Sequence, residues 1–238
     1  MKKHDFLNGI KDGLPICLGY FSVSIAFGIA AANGGIPAWA AILTSLSNLT
    51  SAGQFAGIGV MLDAGGLIEL AITTLIINMR YFLMSLSVSQ KLSPSMSTAS
   101  RALVSFGITD EIFAVSVKNT EPLTTSYMLG LILLPVIGWT SGTATGALAT
   151  SVLPASLASA MGIALYGMFI AIVVPPAREN KNVLIAVILA IISSLVFYYA
   201  PGLRNISSGW TIIIITVVVS ALAATFLPVN FSEEGSEE

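Results

Sequence analysis

The chain is poor in charge, because Asp, Glu, Lys and Arg make up 9% of its 238 residues while 55% are hydrophobic. Soluble domains carry about 25% charged residues, so this composition indicates an integral membrane protein. Acidic and basic residues nearly balance at a net charge of -2, and no cluster of Lys or Arg is present. The sequence therefore gives no sign of nucleic-acid binding.

Residues for redox, metal and nucleotide chemistry are equally scarce. Cys17 is the only cysteine, which excludes an internal disulfide, and His4, in the charged N-terminal stretch, is the only histidine. Histidine-based metal sites and Ser-His catalysis are therefore excluded. The chain also lacks a GxxxxGK[ST] loop for nucleotide phosphates. We predict that it is not an enzyme and has no catalytic residues, metal site or cofactor.

Eight apolar segments follow one another along the chain, each near the length that crosses a bilayer. They lie near residues 15–33, 37–61, 66–90, 99–117, 126–149, 155–176, 182–200 and 209–228. We predict an all-α, polytopic integral membrane helix bundle with about six to eight transmembrane segments. The predicted parts are a cytoplasmic N-terminal tail (1–14), a single transmembrane domain (15–228) and an acidic tail (229–238).

The second and fourth segments are the most polar, and positive charge gives two models for them. If all eight segments cross from a cytoplasmic N-terminus, Lys91, Arg101 and Arg204 lie outside. If the two polar segments are broken and re-entrant from opposite faces, Arg204 alone lies outside. The basic residues inside are then Lys2, Lys3, Lys11, Lys91, Arg101, Lys118, Arg178 and Lys181. Such segments would have to be covered by protein and line a cavity.

A short internal similarity supports the second model. TSAGQFA from Thr50 resembles TDEIFA from Thr109, and each string follows an apolar helix. Many secondary transporters build their substrate site from inverted repeats whose broken helices meet at the middle of the membrane. The similarity predicts such a repeat in this chain.

Charged side chains interrupt the third and fourth segments. Asn78 and Arg80 lie near the middle of one, and Asp110 and Glu111 lie in the other. An arginine at that depth costs about 2.5–3.5 kcal/mol on insertion scales, so we expect it to face protein, water or a counter-charge. Neighbours on a helix point about 100° apart, so only one acid can neutralise Arg80 and the other is available to bind a proton. Alternatively, Asp110 caps a helix that begins after Thr109.

Intramembrane ionisable residues are functional by default, so we predict a substrate-binding or coupling site. Its members are Gln54, Asn78, Arg80, Asp110 and Glu111, with Asn48, Glu69 and Thr109 in support. Two structural alternatives remain, namely an ion pair that only fixes packing and a Gln54 that only joins helices.

Gly138, Gly142 and Gly146 form a ridge with a spacing of four residues. Ridges of small residues allow two membrane helices to approach closely. The partner of this ridge is either another helix of the same bundle or another subunit.

Three stretches of the chain resemble the AzlC family of branched-chain amino acid exporters. They are the segment around Gln54-Phe55, TTLIINMRYFLMSLSV from Thr73 and ITDEIFAVS from Ile108. The similarity runs from PICLGYFSVSIAFGIAA near the start to MFIAIVVPPAR near Met168. The chain departs from the family at Tyr81, where a histidine is usual, and at Gly162, where an Asp-Phe-Ala-Leu-Pro-Ala string commonly starts.

The resemblance implies a multi-pass protein of the bacterial inner membrane that is the larger subunit of a two-protein permease. Its partner would be a small hydrophobic subunit of the AzlD type. We therefore expect a secondary transporter subunit that exports branched-chain or other small apolar amino acids. The substrate carboxylate would face Arg80 or backbone N–H groups, and its ammonium would face Asp110 or Glu111. A passive channel, and a structural subunit whose partner holds the site, are the alternatives.

Overall fold

The computed structural model describes residues 3–150, 167, 170 and 173–227. They divide between two compact units. Unit 1 comprises Met1–Ile58 and Ile77–Tyr166, and unit 2 comprises Gly59–Ile76 and Gly167–Glu238. The predicted segment 155–176 lies mostly outside the described residues, and the predicted acidic tail lies entirely outside them.

The regular elements of the described residues are helices. They are α1 (Lys3–Asn33), α2 (Ala38–Ser47), α3 (Ala52–Leu62), α4 (Leu67–Ser89), α5 (Thr98–Phe106), α6 (Asp110–Lys118), α7 (Thr125–Ala149), α8 (Lys181–Tyr199) and α9 (Ser208–Phe226). Within the same ranges, α1, α4, α7, α8 and α9 are long and apolar enough to cross a membrane. The predicted all-α membrane fold is confirmed.

Both polar segments are broken near their middle, as the second model predicts. The first becomes α2 and α3, separated by residues 48–51, which we call the first tip. Here Asn48 is extended and Ser51 adopts a left-handed φ of 42°, a conformation that costs a non-glycine residue about 1–2 kcal/mol. The second becomes α5 and α6, separated by residues 107–109, the second tip. It ends with Thr109 in an extended conformation.

The first broken segment forms a hairpin, residues 38–58, which we call the first hairpin. Ala41 near the start of α2 and Ile58 towards the end of α3 are buried in one apolar cluster. That cluster also contains Ala31, from the last turns of α1. The start of α2 and the end of α3 are therefore both near the C-terminal end of α1.

The second broken segment, residues 98–118, forms the second hairpin. Arg101 in the first turn of α5 donates from Nε to the Met96 carbonyl at 3.2 Å. Lys91, just after α4, donates from Nζ to the Val117 and Asn119 carbonyls at the end of α6. The start of α5 and the end of α6 are therefore close to the same loop after α4.

The two hairpins start from opposite ends of unit 1. The Leu123 N–H donates to the Lys91 carbonyl at 2.9 Å, and the Thr124 hydroxyl donates to Asp5 at 3.2 Å. The base of the second hairpin thus lies at the N-terminal end of α1. The 31 residues of α1 extend about 46 Å, so the base of the first hairpin lies far away at the other end. An inverted repeat would produce this arrangement, and the repeat itself stays a prediction.

The glycine ridge of α7 packs against α1, so its partner lies inside the bundle. A methyl group built on Gly142 would meet the Phe21 carbonyl oxygen, and one on Gly138 would lie 2.5 Å from the Cys17 carbonyl oxygen. The reverse also holds, because a methyl group on Gly28 of α1 would meet Thr143. The two backbones are in contact only because these positions lack a side chain.

Helix α1 begins at Lys3, well before the apolar segment predicted from residue 15. Its first turns continue along α7, since a methyl group on Gly9 would meet the Tyr127 carbonyl oxygen. The Tyr127 hydroxyl donates to Asp12 at 2.7 Å. These polar contacts stabilise a helical extension that hydropathy alone does not detect.

In unit 2, Glu69 holds the start of α9. Glu69 is 7% exposed. Its carboxylate accepts hydrogen bonds from the Ser207 hydroxyl and, at 3.2 Å, from the backbone N–H of Trp210. A carboxylate in this place satisfies backbone donors that the first turn of a helix leaves free.

Lys91, Arg101 and Lys118 all lie near the base of the second hairpin, so we expect one side of the membrane to reach them. By the charge count this is the cytoplasmic side. Single Lys91→Cys, Arg101→Cys and Lys118→Cys variants in a Cys17→Ser background are treated with an impermeant maleimide in vesicles of both orientations. Arg204→Cys is the control, because the same charge count places Arg204 on the other side of the membrane. Labelling of position 91 only from the outside would instead support the model in which all eight segments cross the membrane.

Candidate functional site

Arg80 pairs with Asp110 where the second tip meets the middle of α4. Arg80 Nη1 lies 3.0 Å from Asp110 Oδ2, and Arg80 Nη2 donates to the Tyr81 hydroxyl at 3.2 Å. The side chains of the pair are 38% and 31% exposed in the isolated chain, so the pair is accessible rather than sealed in a core. A partly exposed pair can exchange partners with a charged ligand at lower cost than a sealed one.

Glu111 takes a different partner, as the helical spacing of the two acids predicts. Its carboxylate accepts a hydrogen bond from the Tyr20 hydroxyl of α1, which also lies 2.7 Å from Thr109 Oγ1. Thr109 occupies the N-cap position and Asp110 is the first residue of α6. The alternative in which Asp110 caps this helix is therefore wrong, because its carboxylate is directed to Arg80.

The first tip meets α4 two residues before Arg80. A methyl group built on Gly53 would lie 2.6 Å from both Thr50 Oγ1 and Asn78 Oδ1, so these side chains surround the same point. Thr50 Oγ1, Ser51 Oγ, Asn78 Oδ1 and Arg80 Nε are buried and have no hydrogen-bond partner within the described part of the chain. Buried polar atoms of this kind are rare in proteins and call for an explanation.

The two tips place two helix N-termini beside the middle of α4, but with different charge. The first turn of α6 carries Asp110 and Glu111, whereas the first turn of α3 carries no acidic residue. A helix N-terminus is equivalent to roughly half a positive charge. The first turn of α3 is therefore positive, whereas the two carboxylates outweigh the positive end of α6.

Gln54 is 3% exposed and uses both ends of its amide inside unit 1. Its Oε1 accepts from the Trp139 indole N–H at 2.8 Å, and its Nε2 donates to Ser45 Oγ at 3.0 Å. Trp139 also packs edge-on against Tyr20, with ring centroids 5.4 Å apart. This geometry favours the interpretation of Gln54 as a residue that joins helices.

Sequence reasoning missed Tyr20 and Trp139, which connect the two hairpins through α1 and α7. The available signal was an aromatic side chain with a polar tip in the middle of an apolar segment, since such tips find partners when buried. Among the supporting residues, Thr109 lies beside Tyr20, and Asn48 is half-buried at the end of α2. The hydrogen bonds of Glu69 are made to Ser207 and Trp210 within unit 2.

Comparisons with known proteins place these residues inside a shared sequence region. The family model described as AzlC protein matches residues 15–153, which include both tips and Arg80. An uncharacterized membrane protein of Archaeoglobus fulgidus is 30% identical over 224 residues, covering 93% of each chain. The inner membrane protein YgaZ of Escherichia coli K12 is 28% identical over 193 residues, covering 77% of this chain and 78% of its own length.

A further uncharacterized membrane protein, from Helicobacter pylori J99, is 26% identical over 205 residues, which is 82% of this chain and 88% of that protein. No solved structure matches the chain.

Proposed function

Because this chain belongs to the AzlC family of transport-related membrane proteins, we propose that it is a secondary transporter subunit that exports small apolar amino acids. The preferred substrates are valine, leucine, isoleucine and close analogues. The membrane is the bacterial inner membrane, which agrees with the name of the Escherichia coli relative. A small hydrophobic AzlD-type subunit is the proposed partner.

The observation that carries this proposal is the Arg80–Asp110 pair at the second tip, two residues along α4 from Asn78, which lies beside the first tip. The 3.0 Å contact places one cation and one anion together at the start of α6. An amino acid also carries one cation and one anion, so it can replace the internal pair with two external ones. The net charge of the site does not change when the substrate binds, which limits the desolvation cost within the membrane.

The hairpins support the second requirement of a transporter, which is access to the site from either side of the membrane. Each hairpin starts from one end of unit 1 and its tip reaches α4 near Arg80. In secondary transporters a fixed site at the middle of the membrane is opened to one side at a time by movement of such repeated elements. A continuous open pore would not need a tip from each side.

The direct test is counterflow of labelled leucine in liposomes that contain the chain with and without its AzlD-type partner. We expect saturable uptake against unlabelled leucine that is loaded inside. Ion conductance without substrate saturation would identify a channel. Full transport after substitution of both Arg80 and Glu111, together with loss of transport after substitution of the partner, would identify a structural subunit.

We expect Glu111→Gln to change the pH dependence of transport. The amide keeps the shape and can still accept from Tyr20, but it can no longer bind a proton. Initial counterflow rates measured between about pH 5 and 8 reveal the change. Glu121→Gln, the same substitution at an exposed loop residue, is the matched control. An unchanged pH profile in Glu111→Gln would mean that this acid has a structural role.

A further inference from the structure

The first tip contains a group of polar side chains that the folded chain leaves unpaired. Thr50 Oγ1, Ser51 Oγ and Asn78 Oδ1 are buried without a partner among the described residues. Leaving a buried polar atom unpaired costs about 1–3 kcal/mol. Ser51 also has a left-handed φ of 42°, so the tip has unfavourable backbone geometry at the same place. Such costs are common where a ligand completes the hydrogen bonding.

The group can donate hydrogen bonds. Two members are hydroxyls, which can turn their protons towards an acceptor. A rotation of the Asn78 amide by 180° places its Nδ2 donor where Oδ1 now lies. The Arg80 Nε–H, two residues along α4, is a further buried donor without a partner in the described ranges.

Charge decides which ligand atom these donors take. The first turn of α3, which starts directly after Ser51, carries no acidic residue, and helix N-termini attract anions. An ammonium group would meet the positive end of α3 here. At the other tip, Asp110 and Glu111 provide acceptors for a cation. The first tip is therefore suited to a carboxylate.

We propose that the first tip is the carboxylate half-site, in which Thr50, Ser51 and Asn78 bind the α-carboxylate of the transported amino acid. This assignment rests on the proposed function and makes it more specific. The transported compounds must carry a free carboxylate, whereas their apolar side chain can vary. Arg80, two residues beyond Asn78 on α4, contacts Asp110 at 3.0 Å in the structure.

Gly53 allows this half-site to form. A methyl group there would lie 2.6 Å from Thr50 Oγ1 and from Asn78 Oδ1, which is too close for a carbon and an oxygen atom. Alanine would therefore push the tip and α4 apart. Glycine at this position lets side chains from both elements reach a single carboxylate.

The test compares a substrate with a carboxylate and one without it. Unlabelled L-leucine and L-leucinamide compete for counterflow of labelled leucine in liposomes that contain the chain and its partner. With the unsubstituted protein we expect leucinamide to compete at least about tenfold more weakly, the effect of losing hydrogen bonds to a charged group.

Asn78→Asp places a negative charge beside the proposed carboxylate with almost no change in shape. We expect the affinity for leucine to fall about tenfold or more, while leucinamide competes as well as before or better. Thr50→Val removes one donor at constant volume and should raise the KM for leucine without an equal effect on leucinamide. Ser47→Ala is the matched control, because the Ser47 hydroxyl is used within α2, where it donates to the Leu43 carbonyl at 2.8 Å.

The outcomes separate this assignment from the proposed function. If the unsubstituted protein shows no counterflow, the proposed function fails. If it transports leucine but both substituted proteins keep its preference for leucine over leucinamide, the half-site assignment fails and the transporter remains. Gel filtration in detergent shows whether each variant folds, and Thr50→Val decides the question if Asn78→Asp does not.

Discussion

We expect Arg80→Ala to reduce leucine counterflow to about a hundredth of its rate or less, while the protein still inserts into the membrane. A hydrogen bond to a charged group is worth about 1.5–3 kcal/mol, and a 1.4 kcal/mol loss is already about tenfold. Here the substitution leaves Asp110 without its partner at 3.0 Å and removes the cation of the proposed site. Insertion should not suffer, because an alanine in the middle of α4 is cheaper to bury than a guanidinium.

Arg80→Lys tests whether charge alone is sufficient. Arg80 contacts Asp110 through Nη1 and Tyr81 through Nη2, and a lysine ammonium cannot hold both in the same planar geometry. We expect only partial recovery of transport in this variant. The measurement is the initial counterflow rate per inserted molecule, with protein amount determined by immunoblot of the liposomes.

Arg101→Ala is the matched control for the Arg80 variants. Arg101 donates to backbone carbonyls of Met96 and Ser93 near the base of the second hairpin, and no acid among the described residues forms an ion pair with it. We expect near-normal transport from Arg101→Ala. Normal transport from Arg80→Ala would contradict the assignment of Arg80 to the site.

The second large effect concerns the contact between α1 and α7. We expect Gly142→Ala to destabilise the folded protein by about 1–3 kcal/mol, the usual cost of forcing an extra carbon into a packed interface. The new methyl group would overlap the Phe21 carbonyl oxygen and the Ser24 hydroxyl, and a backbone atom cannot rotate away. The helices would have to separate along the whole ridge.

Thermal unfolding in detergent, followed by tryptophan fluorescence, measures this change, because Trp139 is fully buried next to Gly138. Gly19→Ala is the control in the partner helix, since a methyl group there meets no atom within 4 Å. A Tm for Gly142→Ala equal to that of Gly19→Ala would show that the two helices do not require this close approach.

The pattern of residues along the chain was sufficient to predict the class of fold. A composition with 9% charge cannot form a soluble surface, so helices in a membrane follow directly. The breaks in the two polar segments were also predictable, because rows of hydroxyl, amide and acidic groups cannot face lipid. The count of basic residues then favoured hairpins over complete spans.

Only the tertiary structure decided which groups meet. Asp110 and Glu111 are neighbours of the same chemical type, and nothing local distinguishes them until α6 packs between α4 and α1. Packing then pairs Asp110 with Arg80 and Glu111 with Tyr20. Glu69 lies on the same helix as Arg80 but caps α9 in unit 2. Its partners, Ser207 and Trp210, are more than 130 residues away in sequence, so no local pattern predicts this contact.

The sequence by itself determined that this chain is a helical membrane protein whose few polar groups gather at broken segments. This conclusion follows from solvation, because the preference of a side chain for water or for lipid depends on its own chemistry and not on its neighbours. The tertiary structure decided the pairing of the acids, the partner of the glycine ridge and the polar group at the first tip. These depend on contacts between residues that are remote in sequence, and such contacts form only when the helices pack.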